Sequence, residues 1–284
     1  MVACALVASF AGASTALAGP PAGYDLVWHD EFDGNEMDTS KWRHRLLGPR
    51  RAGENVEEAV GVDNGLLTIT TWTQQGPHPA HYTGMISTRD TFRQAYGYFE
   101  ASIDFNGASG MWSAFWLTSA DIHDTSQIPE LAGVELDVVE HRVTDGSAND
   151  ISGIASLNTH WGGYQEHHQT RGFNTGDLGL GDGFHTYAIE WTPDGYRFFI
   201  DDVQVWDGAD TPVSQIPQYM LLSSEVGEGW SGPIPDGGYG TFDDSNVTMH
   251  VDYVRVYSMG AIPEPASASL LALSSFLLLR RRNR

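Results

Sequence analysis

The segment His185-Thr186-Tyr187-Ala188-Ile189-Glu190-Trp191 runs into the turn Thr192-Pro193-Asp194-Gly195, returns over residues 196–200, and reverses again at Asp201-Asp202 into Val203-Gln204-Val205-Trp206. Short β-branched and aromatic stretches closed by Pro, Gly and Asp in this way predict a meander of strands, not helices. The pattern recurs. Leu66-Leu67-Thr68-Ile69-Thr70-Thr71-Trp72 follows the turn signal Asp63-Asn64-Gly65, residues 96–105 alternate aromatic or apolar with small and polar, and residues 249–257 alternate strictly. Sustained helical periodicity and internal repeats are absent. Residues 19–258 therefore predict one all-β domain, a two-sheet antiparallel sandwich of jelly-roll type whose concave face suits an extended polymer.

The two ends read as addresses. Residues 1–18 are almost wholly apolar and small and close on Ala16-Leu17-Ala18 before Gly19-Pro20-Pro21, the A-x-A pattern of a secretory signal peptide without its charged n-region. A buried N-terminal helix is the alternative. Residues 262–284 hold Pro263-Glu264-Pro265, an apolar run, and Arg280-Arg281-Arg282-Asn283-Arg284. The apolar run is shorter than the roughly 20 residues that span a bilayer. This order resembles the PEP-CTERM sorting signal of Gram-negative bacteria, which implies export machinery, a sorting enzyme as partner, and a secreted or envelope-associated protein. A plain membrane anchor is the alternative.

Charge narrows the partners. Fifteen Lys and Arg stand against 37 Asp and Glu, a formal net charge of −22. Such a field repels polyanions, so no nucleic-acid partner is expected, and neutral glycans are favoured over sulfated ones unless a basic cleft intervenes. The single cysteine, Cys4, lies in the expected signal peptide, so the mature chain has no disulfide. A monomer is expected.

The chemistry concentrates in Gly133-Val134-Glu135-Leu136-Asp137-Val138-Val139-Glu140-His141. On a strand Glu135 and Asp137 share a face, and perfect alternation would send Glu140 to the other. One extra residue at Val138 or Val139, taken up as a β-bulge, returns Glu140 beside its partners. Four strand steps of about 3.3 Å then set the two Cα atoms about 13 Å apart, and glutamates leaning together leave about 5 to 6 Å between carboxyls. That is nearer the roughly 5 to 5.5 Å of retaining glycosidase pairs than the roughly 6.5 to 9.5 Å of inverting ones. Crowding should split their proton affinities, leaving one glutamate ionised as nucleophile and one protonated as general acid. Spacing alone leaves two other readings: the polar face of an exposed strand, and a metal site, the latter disfavoured because no His-rich segment with ligand spacing lies nearby in sequence.

Glu135-Leu136-Asp137-Val138-Val139-Glu140 resembles the bulged signature of glycoside hydrolase family 16, in its laminarinase, agarase and carrageenase branches. Blocks at residues 26–34, 96–101, 110–117, 184–193 and 251–257 are similar to the family's in the same order. The resemblance implies a concanavalin A-like jelly roll and a retaining mechanism, with Glu135 as nucleophile, Glu140 as acid/base and Asp137 assisting. It places Trp112, Trp116 and Trp230 at the sugar cleft, His160 near the acid/base, and Asn55 as a weaker sugar contact. Core packing of the tryptophans and a structural His160 are the alternatives. Glu225 and Glu228 depart from the family pattern and would face the cleft. No cofactor is needed for the chemistry, but many members carry a structural Ca²⁺, whose ligands would map onto Glu31, the carbonyl of Gly65, and Asp252. The expected activity is endo-hydrolysis of a polysaccharide, β-1,3-glucan first. A β-galactanase of agarase or carrageenase type, a transglycosylase, and a non-catalytic lectin-like sandwich are the alternatives.

Overall fold

The computed structural model describes residues 19–227 and 229–260; the expected signal peptide, the sorting tail and Glu228 lie outside the described residues. Two large antiparallel sheets, of eight and seven strands, form the predicted sandwich, with a separate four-stranded sheet. The seven-stranded sheet consists of β1 (Arg43–His44), β2 (Met85–Ser87), β3 (Met111–Thr118), β4 (Glu135–Arg142), β5 (Ala155–Trp161), β6 (Gln169–Asn174) and β7 (Tyr219–Val226). Its spatial order is β6-β5-β4-β3-β7-β2-β1.

Turn chemistry sets the hairpins of the other sheet. Asn64 and Gly65 both take positive φ, 53° and 80°, between Asp63 and Leu66, which pair directly. This is the two-residue turn that matches strand twist. Asp201 and Asp202 do the same without glycine, at 47° and 64°. There the Asp201 carboxylate accepts the Thr186 amide at 2.9 Å, a bond that helps hold the turn. The long closing strand, Thr248–Met259, lies between Gly97–Asp104 and Leu66–Thr70. It also pairs with Tyr24–Asp30, so the first and last strands lie side by side.

One predicted strand splits. Residues 66–72 read as continuous, but Leu66–Thr70 stays in the large sheet while Trp72–Gln74 joins the four-stranded one. Thr71 makes the break because its polar groups find partners elsewhere: its amide donates to the Val247 carbonyl at 2.9 Å and its hydroxyl meets that of Thr83 at 2.8 Å.

Between the sheets, Phe99, Ile189 and Trp191 meet Phe115, Leu136, Val138, Val139 and Leu222 in one continuous core. Burying each such side chain contributes about 1.5–3 kcal/mol. Because Phe115 and Leu117 point inward, alternation leaves Trp112, Ala114, Trp116 and Thr118 on the outer face of β3, where they line an open cavity of about 1030 Å³.

Candidate active site

The candidate carboxylates enter the cavity floor from β4. A single helical turn, Pro129–Ala132, ends at Gly133, whose φ is +96°, and a Cβ there would lie 2.4 Å from Ser119 Oγ. Only glycine makes this entry. The predicted bulge is present. Against β3, Asp137 pairs with Trp116 and Val139 with Phe115, leaving Val138 as the extra residue. Against β5, Asp137 pairs with Asn158 and Glu140 with Ser156. Leu136, Val138 and Val139 are fully buried in the core, and Glu135, Asp137 and Glu140 all line the cavity.

Each carboxylate has its own surroundings. Tyr164 Oη donates to Glu135 Oε2 from the loop joining β5 and β6. Asn158 Nδ2 donates to Glu140 Oε2 at 2.5 Å. Asp137 Oδ2 lies 3.3 Å from His160 Nε2 without hydrogen-bond alignment. His160 Nδ1 in turn lies 2.9 Å from His168 Nε2.

Glu135 and Glu140 can be reached from the cavity, but dense protein surrounds both. Burial raises the proton affinity of Glu135, the Asp137 charge adds to it, and the Tyr164 hydroxyl and His160 pull it back. Asp137 is pushed up by burial and by the charge of Glu225. Glu140 is pushed up to about 8, first by burial and then by Asp137, with the Asn158 bond opposing. A carboxyl in this state carries a proton at neutral pH, as a general acid must. Burial raises Glu135 and Asp137 in the same direction, however, so in the free protein the proton affinities are not split as the crowding argument expects.

The other candidates divide. Trp112, Trp116, His160 and Trp230 all line the cavity. Trp112 and Trp230 meet edge to face at 5.2 Å, with Arg51 over Trp112 and Arg142 over Trp230. Trp116 donates its indole N–H to Ser223 Oγ at 3.1 Å. His160 pairs across the sheet with Glu135, so it stands on the Glu135–Asp137 side and Asn158 takes the place beside Glu140. Asn55 is buried outside the cavity lining and donates to the Leu46 carbonyl at 3.1 Å, so it shapes the wall behind a lining residue.

The basic cleft that net charge left open is present: Arg45, Arg50, Arg51 and Arg89 line the cavity, in a chain whose net charge is −22. Glu225 faces the cavity as expected, and there Arg50 holds it at 2.7 Å and Arg51 grips its other oxygen. A histidine also joins the carboxylates. Glu135, Asp137 and His160 offer donor atoms within 4.8 Å of one another, the histidine arriving across the sheet on β5.

The calcium set does not fit as it stands. Strand pairing brings the Gly65 turn and Asp252 towards the end of Tyr24–Asp30. Both oxygens of Glu31, however, accept from Arg255, at 2.9 and 2.7 Å. That bidentate pair supplies the positive charge a cation would bring.

The segment 120–132 and the His167-His168 loop, expected from the sequence to shape subsites, supply His123 and His168 to the lining, whereas Asn158, Arg142, Tyr164 and the four cleft arginines were given no role by sequence reasoning. Alternation along β5 from His160 was a usable signal for Asn158. None existed for the others.

A family model described as Beta-porphyranase A-D, GH16 domain matches residues 27–259. The chain is 37% identical over 207 residues to the endo-1,3-1,4-beta-glycanase ExsH of Rhizobium meliloti (strain 1021), covering 70% of this chain and 40% of that protein. It is 28% identical over 274 residues to the glucan endo-1,3-beta-glucosidase A1 of Niallia circulans, covering 83% of this chain and 38% of that protein. This chain thus spans about two fifths of the length of either relative. The endo-beta-1,3-glucanase of Pyrococcus furiosus shares the fold, with a TM-score of 0.66 at 22% identity over 84% of this chain and 95% of that one.

Proposed function

The chain belongs to glycoside hydrolase family 16, and from that membership we propose that it is a secreted, endo-acting hydrolase of a β-linked polysaccharide, working with retention of configuration. The observation that carries this is the Val138 bulge, which sets Glu135 and Glu140 in one cavity with different partners. Glu135 attacks the anomeric carbon as the bond to the leaving oxygen breaks, and the proton of Glu140 goes to that oxygen. Glu140 then takes a proton from water, which attacks the anomeric carbon and returns the ester electron pair to Glu135. Asp137 and His160 set the charge around the nucleophile. Trp112 and Trp230 offer aromatic faces and edges for sugar rings. A sandwich that only binds glycan has no use for three crowded carboxylates.

β-1,3-Linked glucan is the first substrate reading, supported by the names of the glucanases this chain resembles. A second reading, an acidic β-galactan, is favoured by Arg45 and Arg89. Both line the cavity near its β1–β2 edge, and neither has a carboxylate partner among the described residues. Export and C-terminal sorting are part of the proposal and rest on the sequence of the two ends. Purified residues 19–258 should release oligosaccharides from laminarin, mixed-linkage glucan, agarose, carrageenan or porphyran, and products longer than the acceptor would reveal transfer. Binding without release from any of them would refute the hydrolase reading.

A further inference from the structure

Tyr164 has no role assigned from the sequence, yet its hydroxyl is the hydrogen-bond donor on Glu135. It is delivered by a constrained loop. Gly162 and Gly163 take φ of +76° and +72°, and a Cβ on Gly162 would fall 2.3 Å from the His167 carbonyl oxygen, so the two arms of the loop touch. The His168 amide closes the tip onto the Gln165 carbonyl at 3.0 Å. The Tyr164 ring lies between His123, 5.2 Å away, and His168, 5.7 Å away. Tyr164 is partly exposed, and its hydroxyl reaches the half-buried carboxylate.

We propose that Tyr164 is the donor that orients Glu135, occupying one carboxylate oxygen, Oε2, so that the other, Oε1, attacks the anomeric carbon. This rests on Glu135 being the nucleophile. The proton stays on tyrosine throughout, because burial and the neighbouring Glu135 charge raise its affinity far above the ordinary phenol value. The bond is strongest to ionised Glu135, before attack and after the ester electron pair returns, and weakest in the covalent intermediate. Tyr164 therefore favours the reactive carboxylate and then its departure. The other titratable groups facing Glu135 are Asp137 and Glu140 on its own strand and His160 from β5, and all are retained when the hydroxyl alone is removed.

Tyr164→Phe keeps the ring between the two histidines and removes only the donor. Losing a hydrogen bond to the charged form lifts the already raised Glu135 pKa by about one to two units, so on the acid side of the profile kcat/KM should fall about tenfold to a hundredfold. The acid limb of the pH profile, which reports ionisation of Glu135, should move to higher pH, while thermal stability holds and KM changes little. A residue that merely packs would leave that limb where it is. 3-Fluorotyrosine placed at position 164, a stronger donor of the same shape, should move the limb to lower pH. A wild-type acid limb in Tyr164→Phe, whatever its rate, or an unmoved limb in the fluorotyrosine protein, would overturn the proposal. Glu135→Ala, assayed on the same polysaccharide, separates the two levels. If it is inactive while Tyr164→Phe behaves as wild type, only the role of Tyr164 fails; if it retains wild-type turnover, the nucleophile assignment fails as well.

Discussion

Asn158 and Glu140 are joined by a 2.5 Å hydrogen bond from amide Nδ2 to carboxylate Oε2. The bond favours the ionised glutamate and so opposes the burial that lifts its pKa to about 8. Asn158→Ala should let that pKa climb further. The basic limb of kcat/KM, which needs a protonated acid, should then move up by about one pH unit, with activity lowered about tenfold by lost positioning. Rate profiles between pH 5 and 10 check both effects.

The same burial links catalysis to stability. The folded-state pKa of Glu140, about 8, lies above the ordinary 4.5, so between those values the folded protein binds more protons than the unfolded chain. Stability must therefore fall as pH rises through this window. Glu140→Gln removes the cost, which is on the order of a few kcal/mol. The variant should be inactive, melt higher than wild type at pH 9, and lose that advantage at pH 4. Calorimetry at the two pH values reads the result.

Val138 contributes spacing more than contact. Inserting one alanine after Val139 keeps the bulge but turns Glu140 towards the core, a one-residue register change that reverses every side chain beyond it. Activity should drop about a thousandfold or more, and the melting temperature should fall because a carboxylate is buried without a partner. Val138→Ala keeps the bulge and should remain active, with a stability loss of about 0.5–3 kcal/mol. Paired activity and melting measurements distinguish the two variants.

Much of this site was legible before the fold was known, for a local reason. Glu135, Asp137 and Glu140 lie on one strand, where a period of two and a single bulge decide which face each takes, and the Val-rich run between them shows which face is core. The strand breaking at Thr71 was not legible, because the groups that divert it, Val247 and Thr83, come from elsewhere in the chain. The arginine wall escaped notice for the same reason. Arg45, Arg50, Arg51 and Arg89 meet only after β1 and β2 pair and the small sheet forms beside them. Net charge averaged over the chain hid them. Glu225 faces the cleft as its sequence position implied, but its two arginine partners, more than 170 positions away, were not legible.

Arg45 and Arg89 give the substrate readings separate signatures. If the polysaccharide is acidic, Arg45→Ala combined with Arg89→Ala should lower kcat/KM on porphyran or carrageenan about tenfold or more and flatten its salt dependence. On laminarin the double variant should stay within about twofold of wild type, since no anionic group is being held. Equal losses on both substrates would mean that the arginines shape the wall without reading charge.

The most direct test of the chemistry is the turnover of Glu135→Ala on whichever polysaccharide the wild-type protein cleaves. Loss of turnover by at least about a thousandfold, with the melting temperature and glycan binding preserved, is the predicted result. Wild-type turnover in that variant would contradict the assignment of Glu135 as nucleophile and the retaining mechanism built on it.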